Sequence, residues 1–189
     1  NTIPDWDGYI PDLMGLAATA NNYANTLDAG ILQAGDYYDT IDAIPGFAFA
    51  LMGAPGSKAE LLGYLTNVKG YMETVRDETR IAAAAARAAN SATNGTELQN
   101  YEDVANLAQS NAQAAVSDAS DEIDAFLLEW GDFIEDNYEG SSAAVALMKT
   151  TSIAAADSAT ACFNGIEDAG LFLCMPGISY KRYFSSPYL

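Results

Sequence analysis

Apolar side chains recur along this sequence in alternating steps of three and four residues, and that rhythm narrows the folds open to it. In a first segment the steps run through Leu13, Ala17, Ala20, Ala24, Leu27, Ile31, Ala34, Tyr38 and Ile41. A second runs through Leu61, Leu65, Val68, Met72, Val75, Thr79, Ala82, Ala86 and Ala89. A third takes Tyr101, Ala105, Ala108, Ala112, Ala115, Ala119, Ile123, Phe126, Trp130 and Phe133, with an extra step near Glu122. A fourth, weaker segment offers Val145, Met148, Ser152, Ala155, Ala159, Cys162 and Ile166. A repeat of about 3.5 residues keeps one helix face against its neighbours over many turns, whereas strands need a period of two. The fold class is all-α.

Turn residues divide the segments at Pro45-Gly46 to Pro55-Gly56, at residues 90–96 and at residues 140–142. Connections this short make successive helices neighbours of opposite direction. The expectation is an elongated, antiparallel, up-down-up-down four-helix bundle with an extended C-terminal arm. It forms a single domain over residues 1–189, with the bundle at 11–168 and a disulfide hairpin plus arm at 169–189.

Composition varies along the helices in a matched way. The stretch "IAAAAARAAN" at residues 81–90 has almost no side chain to pack. Antiparallel order sets it level with the alanine-rich parts of the other three segments, around Ala17, Ala108 and Ala155. Bulky residues gather toward the opposite end, around Leu27, Val68, Phe126 and Met148. Small inward residues let helix backbones approach closely, so one half of the rod is expected to be slimmer. By the same alignment Gly30 and Gly35 fall near the levels of Gly70 and Gly63, beside Tyr37, Tyr38, Tyr64 and Tyr71. Two readings follow: close helix contact beneath tyrosine rings, or space for a bound apolar ligand.

Charge excludes some partners. Twenty-six acidic residues against eight basic ones give a net charge of −18, which repels nucleic acid and anionic membranes. The second segment holds Lys58, Lys69, Arg76, Arg80 and Arg87, set to neutralise the acidic helices beside it. No apolar run is long enough to span a bilayer.

Catalytic chemistry finds little support. Without histidine, the Ser-His-Asp and Cys-His systems and the ExxH di-iron motif are absent. The acidic stretches with Asp118, Asp121, Glu122 and Asp124, and with Asp5, Asp7 and Asp12, read as solvated faces. Helical carboxylates splay, and a calcium ion needs six to eight converging oxygens. The expectation is no catalytic residue, no metal site and no cofactor.

Cys162 and Cys174 are the two cysteines. An even count, in a chain that reads as processed because it starts at Asn1, favours a bridge between them and an oxidising compartment. The sequon Asn94-Gly95-Thr96 offers Asn94 for glycosylation. Together these give an extracytoplasmic address: secreted, cell surface or organelle lumen.

Two parts sit poorly in a plain bundle. The turn "IPGFAFALMGAPG" is apolar where loops are polar, so Phe47, Phe49, Leu51 and Met52 either cap the core or touch a partner. The tail carries Tyr180, Lys181, Arg182, Tyr183, Phe184 and Tyr188 without an acidic residue. It is read as an arm reaching copies of the chain or a larger complex; its alternative is to fold back, with Trp6 and Tyr9, on its own bundle. The expected function is a non-catalytic structural or extrinsic assembly subunit. The alternative is a helical carrier of an apolar small molecule, a lipid or a pigment.

Overall fold

The computed structural model describes residues 11–173, with side chains through residue 170. Five helices pack against one another: α1 (Leu13–Asp42), α2 (Gly46–Ala50), α3 (Lys58–Ala89), α4 (Gly95–Asn137) and α5 (Ser141–Leu173). No strand occurs among the described residues. At 1.5 Å per residue, the longest helix extends about 65 Å.

Each start has a chemical cause, because the first turn of a helix leaves N–H groups without partners. The Asp12 carboxylate accepts from Gly15 N at 2.8 Å. Ser57 and Glu60 form a reciprocal capping box: Ser57 Oγ accepts from Glu60 N at 3.2 Å, and Glu60 Oε2 accepts from Ser57 N at 2.7 Å. Asn94 accepts from Glu97 N at 2.9 Å, while Glu97 reaches back to Thr93 N at 2.7 Å. The turn into α5 passes through Gly140 at φ +80°, a backbone region that favours glycine. The Glu135 carboxylate holds that turn, accepting from Gly140 N and Ser142 N at 2.8 and 3.0 Å.

The core follows the three-four rhythm closely. Every heptad residue named above is buried except Tyr38 and Tyr101, which are half-buried. The extra step near Glu122 leaves α4 unbroken. Cross-links between neighbours run in opposite numerical order. From α3 to α1, Lys58 reaches the Asp42 carbonyl, whereas Arg76 and Arg80 reach Asp28. From α3 to α4, Tyr64 pairs with Glu129, Asn67 with Glu122 and Glu78 with Asn111. From α4 to α5, Asp124 pairs with Lys149 and Gln113 with Asp157.

α3 packs against α1, α4 and α5. Ala82, Ala83, Ala85, Ala86 and Ala89 are all buried, as are Ala155, Ala156, Ser158 and Ala159 of α5. Thr79 Oγ1 of α3 donates to the Ala155 carbonyl of α5 at 3.2 Å, so a short side chain spans the gap between the two helices. Seven residues earlier, Met72 and Met148 fill that space instead, both against Gly30 of α1.

α2 closes the bulky end. Phe49 is 3% exposed, with its ring 5.6 Å from Phe133 and 6.5 Å from Trp130. Gly56 lies against the Trp130 ring, where an added Cβ would sit 3.0 Å from Cζ2.

One expectation is corrected at the C-terminal end. The sequence places the end of the bundle at residue 168 with a hairpin from 169, but α5 continues as helix to Leu173. Ala169 extends the buried face beyond Ile166, which carries the helix past the expected stop. Cys174 lies outside the described residues. Cys162 is a buried free thiol. The expected bridge between Cys162 and Cys174 falls outside the described residues. Residues 1–10 and the arm residues Tyr180, Lys181, Arg182, Tyr183, Phe184 and Tyr188 also lie outside the described residues.

Candidate interaction surfaces

The helix starts explain the carboxylates with the clearest electrostatics. Glu60 is held below the usual carboxylate value by the Ser57 backbone N–H and then its hydroxyl. Glu97 is lowered by Thr93 in the same manner, and Glu135 by the backbone N–H groups of Gly140 and Ser142. All three stabilise turns. In the acidic stretch of α4, Glu122 accepts from Asn67 at 2.7 Å and Asp124 pairs with Lys149 at 2.6 Å. Among the described residues, no group of three or more acidic or thiol side chains is placed to share one ion. Burial pushes the Cys162 thiol up to about 11, a poor setting for a nucleophile.

Four apolar residues of the tip separate by face. Phe49 points into the core and Met52 is half-buried against it, whereas Phe47 and Leu51 are 76% and 85% exposed. Phe47 and Leu51 stand four residues apart, a spacing that puts them on one side of the α2 turn. No charged residue occurs between residues 43 and 57. Capping and exposure, read from sequence as alternatives, therefore coexist in one short segment.

The four glycines do not converge on a ligand space. Gly30 faces the core, where an added Cβ would meet Met148 and Met72 at 3.4 and 3.6 Å. Gly63 and Gly70 are exposed, and an added Cβ at Gly35, Gly63 or Gly70 would meet nothing within 4 Å. The tyrosines roof the core: Tyr64 stands edge-on to Phe126 at 5.8 Å, and Tyr37 lies 6.3 Å from Tyr138. The void beneath them, lined by Tyr37, Ile41, Leu65, Phe126 and Tyr138, measures about 10 Å³. That is about one water-sized probe, far below the few hundred Å³ of a small-molecule pocket.

Asn94 and Thr96 are both exposed at the start of α4. Asn94 uses its side-chain oxygen for the cap, at 2.9 Å from Glu97 N. Its nitrogen makes a 3.4 Å contact to the Thr93 hydroxyl.

A surface that the heptad reading passed over lies between α1 and α5. Leu16, Thr19 and Tyr23 face Ala154, Asp157, Ser158 and Ala161 across a groove of about 340 Å³. Its signal in the sequence is the pair Leu16 and Tyr23, apolar residues seven apart and outside the inward register. Compared with known protein families, curated proteins and solved structures, the chain matches none.

Proposed function

We propose that this chain is a non-catalytic assembly subunit, an up-down-up-down rod of four long helices that docks through its uncharged tip. The observation that carries the reading is the division of α2: Phe49 fixes the segment to the core while Phe47 and Leu51 stand exposed. Elsewhere an excess of acidic residues, −18 net, makes close approach between copies costly. The uncharged tip avoids that cost, whether the partner is another copy or a larger protein complex. Phe and Leu there supply apolar area of the kind that anchors interface centres.

An extracytoplasmic address belongs to the same proposal. Its support is the exposed sequon at Asn94, and a mass loss on enzymatic deglycosylation of the natively produced protein tests it. Native mass spectrometry of the protein in its own extract tests the functional reading. The expected result is a mass above that of one chain, composed of protein. A lone chain retaining a small apolar molecule would replace this reading with that of a carrier.

A further inference from the structure

We propose that the groove between α1 and α5 receives the tip of a second copy of this chain, seating that copy's Phe47 and Leu51. Docking through the tip is the premise; the surface that the tip meets is what is added. The two match in size. Leu16, Thr19 and Tyr23 on α1 face Ala154, Ser158 and Ala161 on α5 over about 10 Å of helix. Phe47 and Leu51 stand one turn apart, about 5–6 Å between Cβ atoms. A cavity of about 150 Å³ holds a benzene ring, so a groove of about 340 Å³ has room for both side chains. Tyr23 is 40% exposed and offers a ring for Phe47 to lie against.

Charge selects the occupant. α1 carries no charged residue from Leu13 to Leu27, and α5 carries only Asp157 between Lys149 and Glu167. The Asp157 carboxylate accepts from Gln113 of α4 at 3.2 Å. Exposed apolar side chains elsewhere stand among carboxylates, as Leu128 does beside Asp124, Glu129 and Asp132. A basic partner would meet more charge on α4, which carries no basic residue. Between copies of a chain at −18, the uncharged tip and this groove approach at the least cost.

Position decides the mode of assembly. α2 follows the C-terminal end of α1, whereas the groove starts within a turn of its N-terminal end. From Tyr23 to Asp42 the helix rises about 28 Å, so no chain seats its own tip. Contact between unlike surfaces leaves one tip and one groove free. Copies therefore add head to tail, into an open chain or a ring, rather than closing as a two-fold dimer.

Sedimentation of the purified full-length chain and of paired variants tests this. Wild type should pass the mass of two chains as concentration rises, and added salt should promote growth by screening the net charge. Phe47→Ser/Leu51→Ser removes the tip, and Thr19→Glu/Tyr23→Glu charges the groove. All four positions are exposed, so circular dichroism should match wild type. Ala161→Phe, which fills the groove from α5, is a second groove variant. Each variant alone should stay at 20.0 kDa, whereas an equal mixture of tip and groove variants should reach twice that mass and stop. A wild type that stops at two chains, groove variants that assemble alone, or a mixture that stays as single chains would overturn the proposal. A purified wild type that stays single, while the same chain in native extract is assembled through its tip, would also overturn it and leave the tip docked on a different protein. A tip variant that keeps its assembled mass in extract would sink the reading of the tip, and this proposal with it.

Discussion

The hydroxyl of Thr79 on α3 donates a 3.2 Å hydrogen bond to the backbone carbonyl of Ala155 on α5, with Thr79 fully buried. These helices lie across the bundle from each other, since each also packs against α4 and α1. Contact through so short a side chain requires small residues around it. The alanines of residues 82–89 and 155–159 supply them.

Added bulk at that level should therefore push α3 and α5 apart. Ala86→Leu and Ala159→Leu are each expected to lower stability by about 1–3 kcal/mol, the usual cost of overpacking. Thr79→Val, which keeps shape and removes the hydrogen bond, should cost about 1 kcal/mol. Urea midpoints measure all three. Wild-type midpoints for the leucine variants would mean that this half of the bundle is loosely packed.

The tip gives a sharper contrast between two phenylalanines two residues apart. Phe49→Ala removes a ring packed on Trp130 and Phe133 and should cost about 3–5 kcal/mol. Phe47→Ala removes an exposed ring and should stay within about 0.5 kcal/mol of wild type. Thermal unfolding of the two variants separates them.

Much of this was legible in the heptads, and the exceptions have physical causes. Inward positions follow from spacing because a long helix in a bundle has one buried stripe. Spacing cannot say which face of α2 turns inward, because Pro45 and a single helical turn set its angle, so Phe47 and Phe49 look alike in sequence. The glycine reading matched levels along the rod without matching angle. Gly63 and Gly70 fall between the inward residues Leu61, Leu65, Val68 and Met72, and they point outward. At the end of α5, the step from Ile166 to Ala169 continued the rhythm, while the paired cysteines suggested a reversal there. The groove between α1 and α5 depends on two helices meeting at small residues, which neither helix shows alone.

Acid should loosen the turns before it affects the core. Glu60, Glu97 and Glu135 have folded-state pKa values below the ordinary 4.5, because backbone N–H groups hold their charged forms. Their contribution is present above the unfolded value and is lost as pH falls through the lowered folded values. Melting temperature should therefore fall with pH below about 4.5. Glu135→Gln should flatten that slope and lower stability at neutral pH, both read from melting curves across a pH series. An unchanged slope in the Glu60→Gln, Glu97→Gln and Glu135→Gln triple variant would contradict this account of the turns.

Cys162 should resist alkylation in the folded protein, since burial raises its thiol to about 11. Under non-reducing conditions it should label readily once urea unfolds the chain. Mass spectrometry of the Cys162 peptide reads the outcome. A Cys162 that stays unlabelled until a reductant is added would mean a bridge, and would contradict a free thiol at this position.

The account rests most heavily on the tip, so the decisive measurement is sedimentation of the wild-type chain and the Phe47→Ser/Leu51→Ser variant in native extract. Both positions are exposed, so circular dichroism of the double variant should match wild type. The account predicts that the wild type sediments as part of an assembly and that the double variant falls to the size of a single chain. A wild type that already sediments alone, or a double variant that keeps the assembled mass, would contradict it.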